Sequence, residues 1–417
     1  MQTPTDYAAL VALDWGDTTH SFAWQKNDDT PLHRGSLPAT PEALHEWLER
    51  LREACGGRPV ALAIEAGRNG LLHALLEQAA WLTIYPIHPA TSARFRLAFA
   101  PSGAKDDGPD AETILALLRQ HRERLTPFLP DTPATRELAA LVEQRRGAVD
   151  QRTALVNELI ARLKRVFPQA LTLIGEDPSA PLALAFLRRF PSLKRVQQAG
   201  PTRLREFYRR HNVRSAERIE ERVALVEQAR AITTDEAILR PAALELARLL
   251  DLLEVLARHI AVHDEAIAQA FAAHPKAKIF ASLPGAGPVL APRLLTLFGE
   301  RTERYPNAAS LQKYAGVAPV RERSQGRLWV HWRWAAPKFL RQSLVEWAGQ
   351  TVPRCGWAKQ YYLKQKAAGK GHHAILRALA FKWVRILWRC WKDNVPYDDT
   401  HYLAALTRRR SPLPTGV

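Results

Sequence analysis

The sequence predicts an α/β domain at the N-terminal end of the chain and a mostly helical remainder. Residues 7 to about 125 alternate between short apolar runs and segments with helical spacing, the pattern of a sheet covered by helices. Within residues 130–270, the segments Arg136–Phe167 and Ala216–Ala270 have helical apolar spacing and are rich in Arg and Glu, which is typical of long amphipathic helices. A chain of 417 residues is too long for one ordinary core, so two or three domains are expected.

The N-terminal segment consists of short predicted strands separated by helices. A predicted turn at Gly16-Asp17-Thr18-Thr19 allows the first two strands to pair as a hairpin. The fourth strand is continuously apolar, which is typical of a strand buried on both faces. The predicted strands are Tyr7–Trp15, Ser21–Gln25, His33–Leu37, Pro59–Ile64 and Leu82–Ile87, and the predicted helices are Pro41–Ala54, Asn69–Ala80 and Ala111–Arg124. Adjacent strands, a helix and then a strand–helix–strand unit follow the order of a ribonuclease-H-like fold.

Four acidic residues stand at the borders of these elements. Asp14 and Glu65 end two of the apolar strands, and Asp107 and Asp110 stand three positions apart at the mouth of a helix. Strand ends gather at one edge of an open sheet, where sites form. Converging carboxylates bind hard divalent ions, which suits phosphodiester chemistry. A helix cap or a solvated surface explains any one of them alone, and Asp106 competes with Asp107 for the same role.

The chain is strongly basic, with 59 Lys and Arg and a net charge of +17. Such a charge favours a nucleic-acid partner, because each neutralised phosphate releases counterions; a generally basic protein is the alternative. The three cysteines form no CxxC pair, which supports neither a zinc finger nor a disulfide framework and fits a reducing cytosol. The polar N-terminus and the absence of a membrane-length apolar run predict a soluble, intracellular protein without membrane contact.

The middle of the chain has the spacing of long helices. Leu246, Leu249, Leu253, Leu256 and Ile260 step by three and four, and the interleaved opposite charges are typical of helices that pair as a coiled coil. We expect an antiparallel stalk or dimerisation arm, interrupted by a smaller helical insertion at 171–212. A plain helical bundle is the alternative.

The third block contains a glycine-rich turn, Leu283-Pro284-Gly285-Ala286-Gly287-Pro288. It resembles a helix-hairpin-helix turn, whose amides can face a phosphate, although an ordinary connector between helices fits equally well. The tail is basic and then Pro-rich, which predicts disorder. The expected domains are residues 1–130 for the acidic α/β domain, 131–270 for the helical dimerisation region, 271–400 for a small, mostly helical C-terminal domain and 401–417 for the tail.

Ser324 stands between basic neighbours in a predicted loop. A turn hydroxyl is one interpretation. In the other, the serine is a nucleophile on phosphorus, and Arg321, Arg323 and Arg327 hold the phosphate oxygens.

Eight of the twelve tryptophans lie between residues 329 and 391, interleaved with Arg and Lys. Such interleaving can stack bases and follow phosphates. For Trp347, Trp383, Trp388 and Trp391 we favour packing between helices. The candidate nucleic-acid-binding residues are Lys105, Arg321, Arg323, Arg327, Trp329, Trp332, Arg333, Lys338 and Arg341, and the role of Trp334 stays open between stacking and packing.

These motifs resemble those of the DEDD transposases of the insertion-sequence-110 family. Asp14, Glu65 and the segment Lys105-Asp106-Asp107-Gly108-Pro109-Asp110-Ala111 are similar to its acidic set, whose last pair lies in a K-T-D-x-x-D-A-like motif. The segments 283–288, 311–319 and 324–326 resemble its C-terminal pattern LPGIGP…YAGLAP…SG. The chain differs at Asp106, where the family has Thr, and at Gln325, which separates Ser324 from Gly326.

The resemblance implies a RuvC-like N-terminal domain, a coiled-coil linker and a small C-terminal domain bearing a serine. It also implies a prokaryotic protein that is cytoplasmic and nucleoid-associated. It implies that Asp14, Glu65, Asp107 and Asp110 hold Mg²⁺ or Mn²⁺. It implies that Ser324 attacks a DNA phosphodiester and becomes covalently attached to the strand. The implied partners are DNA at the element ends and target, a structured bridge RNA, and a second copy of the chain in a homodimer that assembles to a tetramer on nucleic acid.

Two other functions fit part of the pattern. A RuvC-like, structure-specific nuclease with water as its nucleophile uses the acidic set but gives Ser324 no role. A non-enzymatic nucleic-acid-binding protein, derived from a transposase, fits the charge, but the intact acidic tetrad argues against it.

Overall fold

The computed structural model describes residues 6–26, 31–65, 71–99, 107–324, 326–331, 333 and 336–408. The chain forms two compact units, Met1–Pro130 and Asp131–Val417. The first unit is mixed α/β, and the second is mostly helical. The coarse fold class predicted from the sequence is therefore confirmed.

One sheet organises the first unit. Its strands are β1 (Ala9–Asp14), β2 (Thr19–Lys26), β3 (His33–Pro38), β4 (Val60–Glu65) and β5 (Leu82–Ile87). The sheet order is β3-β2-β1-β4-β5, with antiparallel pairing among β1, β2 and β3 and parallel pairing among β1, β4 and β5. Because Leu13 pairs with Ile64, Asp14 and Glu65 end neighbouring strands at the same edge of the sheet.

Helices pack on both faces of this sheet. They are α1 (Pro41–Ala54), α2 (Leu71–Glu77), α3 (Pro89–Phe99) and α4 (Asp107–His121). Side chains alternate across a strand, so Val11 of β1 joins the core cluster that includes α1, whereas Ala12 joins the cluster that includes α4. Sequence spacing does not predict α3, because its apolar side chains form no single stripe. α4 begins before the predicted Ala111 and brings Asp110 into its first turn.

Two long helices dominate the start of the second unit, α5 (Pro133–Val166) and the helix Glu236–Ala272, which is α10 in chain order. Two ion pairs show that they run antiparallel. Arg145 of α5 pairs with Asp264 of α10, and Glu158, later in α5, pairs with Arg248, which is earlier in α10. Their apolar stripes point inward, as the three- and four-residue spacing of the leucines predicts: Leu249, for example, is fully buried.

Four shorter helices lie between the two long ones in sequence. They are α6 (Ala170–Leu173), α7 (Pro181–Arg189), α8 (Leu193–Arg210) and α9 (Ala216–Gln228). They share one apolar cluster with residues of both long helices, such as Leu159 and Leu249. α8 is kinked at Gly200, which has a φ of 76° and precedes Pro201, a residue that cannot donate to the helix ladder. The insertion therefore packs its apolar side chains onto the two long helices.

The remainder of the second unit packs around buried tryptophans. Its elements are α11 (Ala277–Ala281), α12 (Gly287–Phe298), α13 (Ala308–Tyr314), β6 (Val320–Ser324), β7 (Arg327–His331), α14 (Lys338–Thr351), α15 (Gly356–Ala367), α16 (His372–Asp393) and α17 (Asp399–Arg408). Trp347, Trp383 and Trp391 are fully buried, and Trp388 is partly buried against the same cluster. The predicted packing role of these four tryptophans is confirmed.

The C-terminal region differs from expectation in two places. β6 and β7 form an antiparallel hairpin that the sequence pattern did not predict. Because Arg and Glu occupy successive positions of β6, this segment lacks the apolar–polar alternation that indicates a strand. Residues 401–408, predicted to be disordered, belong to helix α17, whose Tyr402 and Leu403 pack against the tryptophan-rich core.

The glycine-rich turn between α11 and α12 is held against α14. A Cβ at Gly285, whose φ is +72°, would lie 2.5 Å from the carbonyl oxygen of Gln350, so only glycine allows this approach. The indole Nε1 of Trp347 also donates to the carbonyl of Pro284 over 3.0 Å. Close packing against α14 therefore explains the glycine without any ligand.

Candidate active site and nucleic-acid surface

Three of the predicted acidic residues line one cavity in the first unit. Asp14 from the end of β1, Glu65 from the end of β4 and Asp110 from the first turn of α4 surround a space of about 120 Å³. The parallel register of β1 and β4 brings the first two together, and packing of α4 on the sheet adds the third. Asp14, Glu65 and Asp110 are each only partly exposed to solvent.

Two residues that sequence reasoning missed contact these carboxylates from α3. The hydroxyl Oγ of Ser92 lies 2.5 Å from Oε1 of Glu65. The guanidinium Nη1 of Arg96 donates to Oδ1 of Asp110 over 2.6 Å. No motif marks either residue, because their proximity to the acidic set exists only after α3 packs beside α4.

The lining of the cavity has the donor chemistry of a magnesium site, since Mg²⁺ takes carboxylate and water oxygens. In the conformation described, no three His, Cys, Asp or Glu side chains among the described residues lie close enough to hold one ion. The backbone of Asp107 begins α4, but its side chain lies outside the described part of the chain, as do all of Lys105 and Asp106. The cavity thus joins three of the four predicted ligands.

Ser324 is the last residue of β6, at the tip of the hairpin, and is exposed. The predicted loop position is therefore corrected: the serine is in a strand, directly opposite Arg327 of β7. Side chains alternate along a strand, so Arg327 and Trp329 share the face of Ser324, whereas Arg321 and Arg323 lie on the other face. Of the three arginines proposed to surround the serine, the hairpin register places Arg327 beside it.

The aromatic cluster after the serine is only partly described. Trp329 is 50% exposed on the hairpin, which leaves its ring available for stacking. Trp332 and Trp334 lie outside the described residues. The carbonyl of Arg333 accepts a hydrogen bond of 3.0 Å from Nη1 of Arg341, so Arg341 ties the chain after the hairpin to α14.

A basic groove of about 310 Å³ lies between α14 and α16. The predicted residues Lys338 and Arg341 line it from α14, and His373 and Arg377 line it from α16. Burial, together with the nearby charge of Arg341, lowers the pKa of the Arg377 guanidinium. Basic side chains from both helices therefore line the groove. Sequence reasoning missed His373 and Arg377, although their four-residue spacing on α16 is a signal that could have found them.

Comparisons with known proteins agree with this layout. A DEDD transposase model of the IS110 group matches residues 11–168, which contain the acidic cavity. The model described as "Transposase IS116/IS110/IS902 family" matches residues 277–363, which contain Ser324 and the α14 side of the groove. No helix in the described part of the chain is both long and apolar enough to cross a membrane.

Relatives align over nearly the whole chain. The "Mini-circle putative transposase for IS117" of Streptomyces coelicolor is 26% identical over 408 residues, covering 95% of this chain and 97% of the relative. The "Insertion element IS110 uncharacterized 43.6 kDa protein" of the same organism is 25% identical, covering 94% and 96%. The "Insertion element IS900 uncharacterized 42 kDa protein" of Mycobacterium paratuberculosis is 26% identical, covering 95% and 98%. With both family models matched in order at the two candidate sites, the chain belongs to the IS110 family of transposases.

Proposed function

We propose that this transposase cuts and rejoins DNA through a covalent link to Ser324, with divalent metal held by its acidic residues. The observation that carries the proposal is the convergence of Asp14, Glu65 and Asp110 on one cavity, in a chain that also presents an exposed serine beside Arg327. The strand order of the first unit supports a ribonuclease-H-like, or RuvC-like, assignment for it. The antiparallel α5 and α10 support the proposed coiled coil.

The proposed reaction is a transesterification at phosphorus. The hydroxyl of Ser324 loses its proton and its Oγ forms a bond to phosphorus, while one phosphorus–oxygen bond to deoxyribose breaks and leaves a deoxyribose hydroxyl. Attack by a different deoxyribose hydroxyl then breaks the serine ester and rejoins the strands. One phosphodiester replaces another, so no external energy source is needed. Arg327 would stabilise the charge that develops on the phosphate oxygens.

Asp14, Glu65, Asp107 and Asp110 would hold Mg²⁺ or Mn²⁺. Such an ion, when bound, stabilises charge on phosphate oxygens and lowers the pKa of a bound hydroxyl. The acidic cavity and Ser324 belong to different compact units, and we propose that two protomers of a dimer contribute the two halves of one site.

A bridge RNA and DNA are the proposed partners. The basic groove between α14 and α16 would bind backbone phosphates, and Trp329 would stack on a base. The net charge of +17 supports polyanionic partners, and the family resemblance supports an RNA guide.

A plasmid recombination assay tests the proposal. The plasmid carries the element ends and non-coding flanks, and recombination by the wild type is compared with that by Asp14→Ala and Ser324→Ala. We expect both variants to lose recombination while they retain nucleic-acid binding. Asp17→Ala is the matched control, because Asp17 is an exposed turn residue on the same unit and should leave recombination unchanged.

The covalent link has its own readout. Labelled DNA should migrate with the wild-type protein on a denaturing gel and should not migrate with Ser324→Ala. Recombination by Ser324→Ala would contradict the serine mechanism and would favour a metal-dependent nuclease with water as nucleophile. If Asp14→Ala and Ser324→Ala are each inactive but recombine when mixed, the two halves of the site come from different protomers.

A further inference from the structure

Helix α3 contacts two residues of the acidic cavity from consecutive turns. Ser92 and Arg96 are four positions apart, so they share one face of the helix. Ser92 lies 2.5 Å from Glu65, and Arg96 lies 2.6 Å from Asp110. Both also line the cavity itself. One helix therefore places a hydroxyl and a positive charge on the carboxylates.

The Arg96–Asp110 pair is sheltered from solvent. The two side chains are 24% and 22% exposed, so salt and water screen their attraction less than they screen a surface pair. Three carboxylates facing a cavity of about 120 Å³ repel one another. The positive charge of the Arg96 guanidinium reduces this repulsion, as a bound cation also does.

One hydrogen-bond donor of Arg96 is unpaired in the described part of the chain. Its Nε is buried and has no hydrogen-bond partner among the described residues. An arginine with a purely structural role usually has its donors paired, because a buried unpaired donor is costly. The ion pair with Asp110 is the contact of Arg96 that a competing cation would disrupt.

We propose that Arg96 is an internal counterion that occupies the acidic cavity in the metal-free protein and must release Asp110 before a divalent ion binds. Ser92 acts with it as a positioning residue. Its single hydroxyl proton can serve either Glu65 or the carbonyl of Pro89, which lies 2.9 Å away, so the hydroxyl can transfer its hydrogen bond when Glu65 turns toward an ion. This inference rests on the proposed role of the carboxylates as metal ligands.

Titration of the full-length protein with Mn²⁺, by calorimetry or electron paramagnetic resonance, tests the inference. Arg96→Gln should bind Mn²⁺ about tenfold more tightly than the wild type, equivalent to about 1.4 kcal/mol. Arg94→Gln is the matched control, because Arg94 is an exposed arginine of the same helix and is not among the residues that line the cavity; it should bind Mn²⁺ as the wild type does.

Thermal unfolding supplies a readout that distinguishes a counterion from a structural residue. Without Mn²⁺, Arg96→Gln should melt below the wild type, because the carboxylates then repel one another unopposed. With saturating Mn²⁺ its melting temperature should rise by more than that of the wild type. If Arg96→Gln does not fold, Arg96→Lys takes its place, since lysine keeps the charge but lacks the planar fork and should tighten Mn²⁺ binding less.

The outcomes separate this inference from the proposed function. If Asp14→Asn abolishes Mn²⁺ binding but Arg96→Gln binds no more tightly than the wild type, the metal site stands and the counterion role is wrong. If Asp14→Asn binds Mn²⁺ as well as the wild type, or no variant binds it, the metal site itself is wrong and the inference falls with it.

Discussion

Loss of one charge from the basic groove should change how nucleic-acid binding responds to salt. Arg377 lines this groove with Lys338 and Arg341, and none of the described residues that line it is acidic. Burial, and to a smaller extent the nearby charge of Arg341, lowers the pKa of the Arg377 guanidinium, so the two positive charges are close enough to affect one another. We expect Arg377→Gln to remove one phosphate contact.

The magnitude follows from the number of charges. Each phosphate contact contributes about 0.9 to the slope of log K against log salt concentration. Lys338, Arg341 and Arg377 together would therefore supply about 2.7 of the total slope. A rise in salt from about 50 to about 200 mM weakens binding by roughly 3.5-fold for each contact. The ratio of wild-type to Arg377→Gln affinity should thus shrink by roughly 3.5-fold over this range.

Fluorescence anisotropy with a labelled duplex, measured at several salt concentrations, gives both slopes. Arg389→Gln is the control: Arg389 is on the same helix and is exposed, but it pairs with Asp393 and does not line the groove. Its slope should match that of the wild type. If Arg377→Gln shows the wild-type slope, the groove does not contact phosphates of that duplex.

Two further predictions concern the C-terminal core and its acid sensitivity. Trp383 is fully buried, and its indole Nε1 donates to Thr351 over 2.9 Å. Trp383→Ala should therefore lower the free energy of unfolding by about 3–5 kcal/mol. Trp383→Phe keeps an aromatic ring but loses the hydrogen bond and part of the buried volume, so in urea denaturation it should lower the free energy of unfolding less than Trp383→Ala does. Burial lowers the pKa of His274 below its usual 6.5, although Glu300 partly opposes this shift. The amide of Lys276 donates a hydrogen bond to Nδ1 of His274, and only the neutral ring can accept it there. The stability that His274 contributes is therefore present above pH 6.5 and lost as the pH falls. The melting temperatures of the wild type and His274→Gln should converge on acidification. If the two proteins show parallel curves of melting temperature against pH, His274 does not contribute stability in this way.

Local patterns carried much of the fold. Strands β1 to β5 lie within two residues of their predicted bounds. For β1, β4 and β5 the reason is that each is a short, mostly apolar run closed by a turn or a helix start. α1 has its predicted bounds, Pro41–Ala54, since its apolar stripe, its first-turn proline and its Thr40 cap all act within one segment.

The elements that the sequence did not predict depend on contacts between segments that are distant in sequence. The hairpin β6–β7 depends on pairing between strands, and its exposed charges carry no apolar alternation. α3 lacks a stripe and is placed by its neighbours. Ser92 and Arg96 gained their proposed roles from the packing of α3. Arg377 gained its role from the packing of α16 beside α14.

The sequence by itself determined which carboxylates could form a site, because residue type and position at strand ends are local properties of the chain. Asp14 and Glu65 are distant in sequence, yet their strands are recognisable one at a time. Only the tertiary structure decided that Arg96 stands against Asp110 and that Arg327, rather than Arg321 or Arg323, shares a face with Ser324. Helix packing and strand register bring these side chains together, and both depend on contacts between segments that no single stretch of sequence contains.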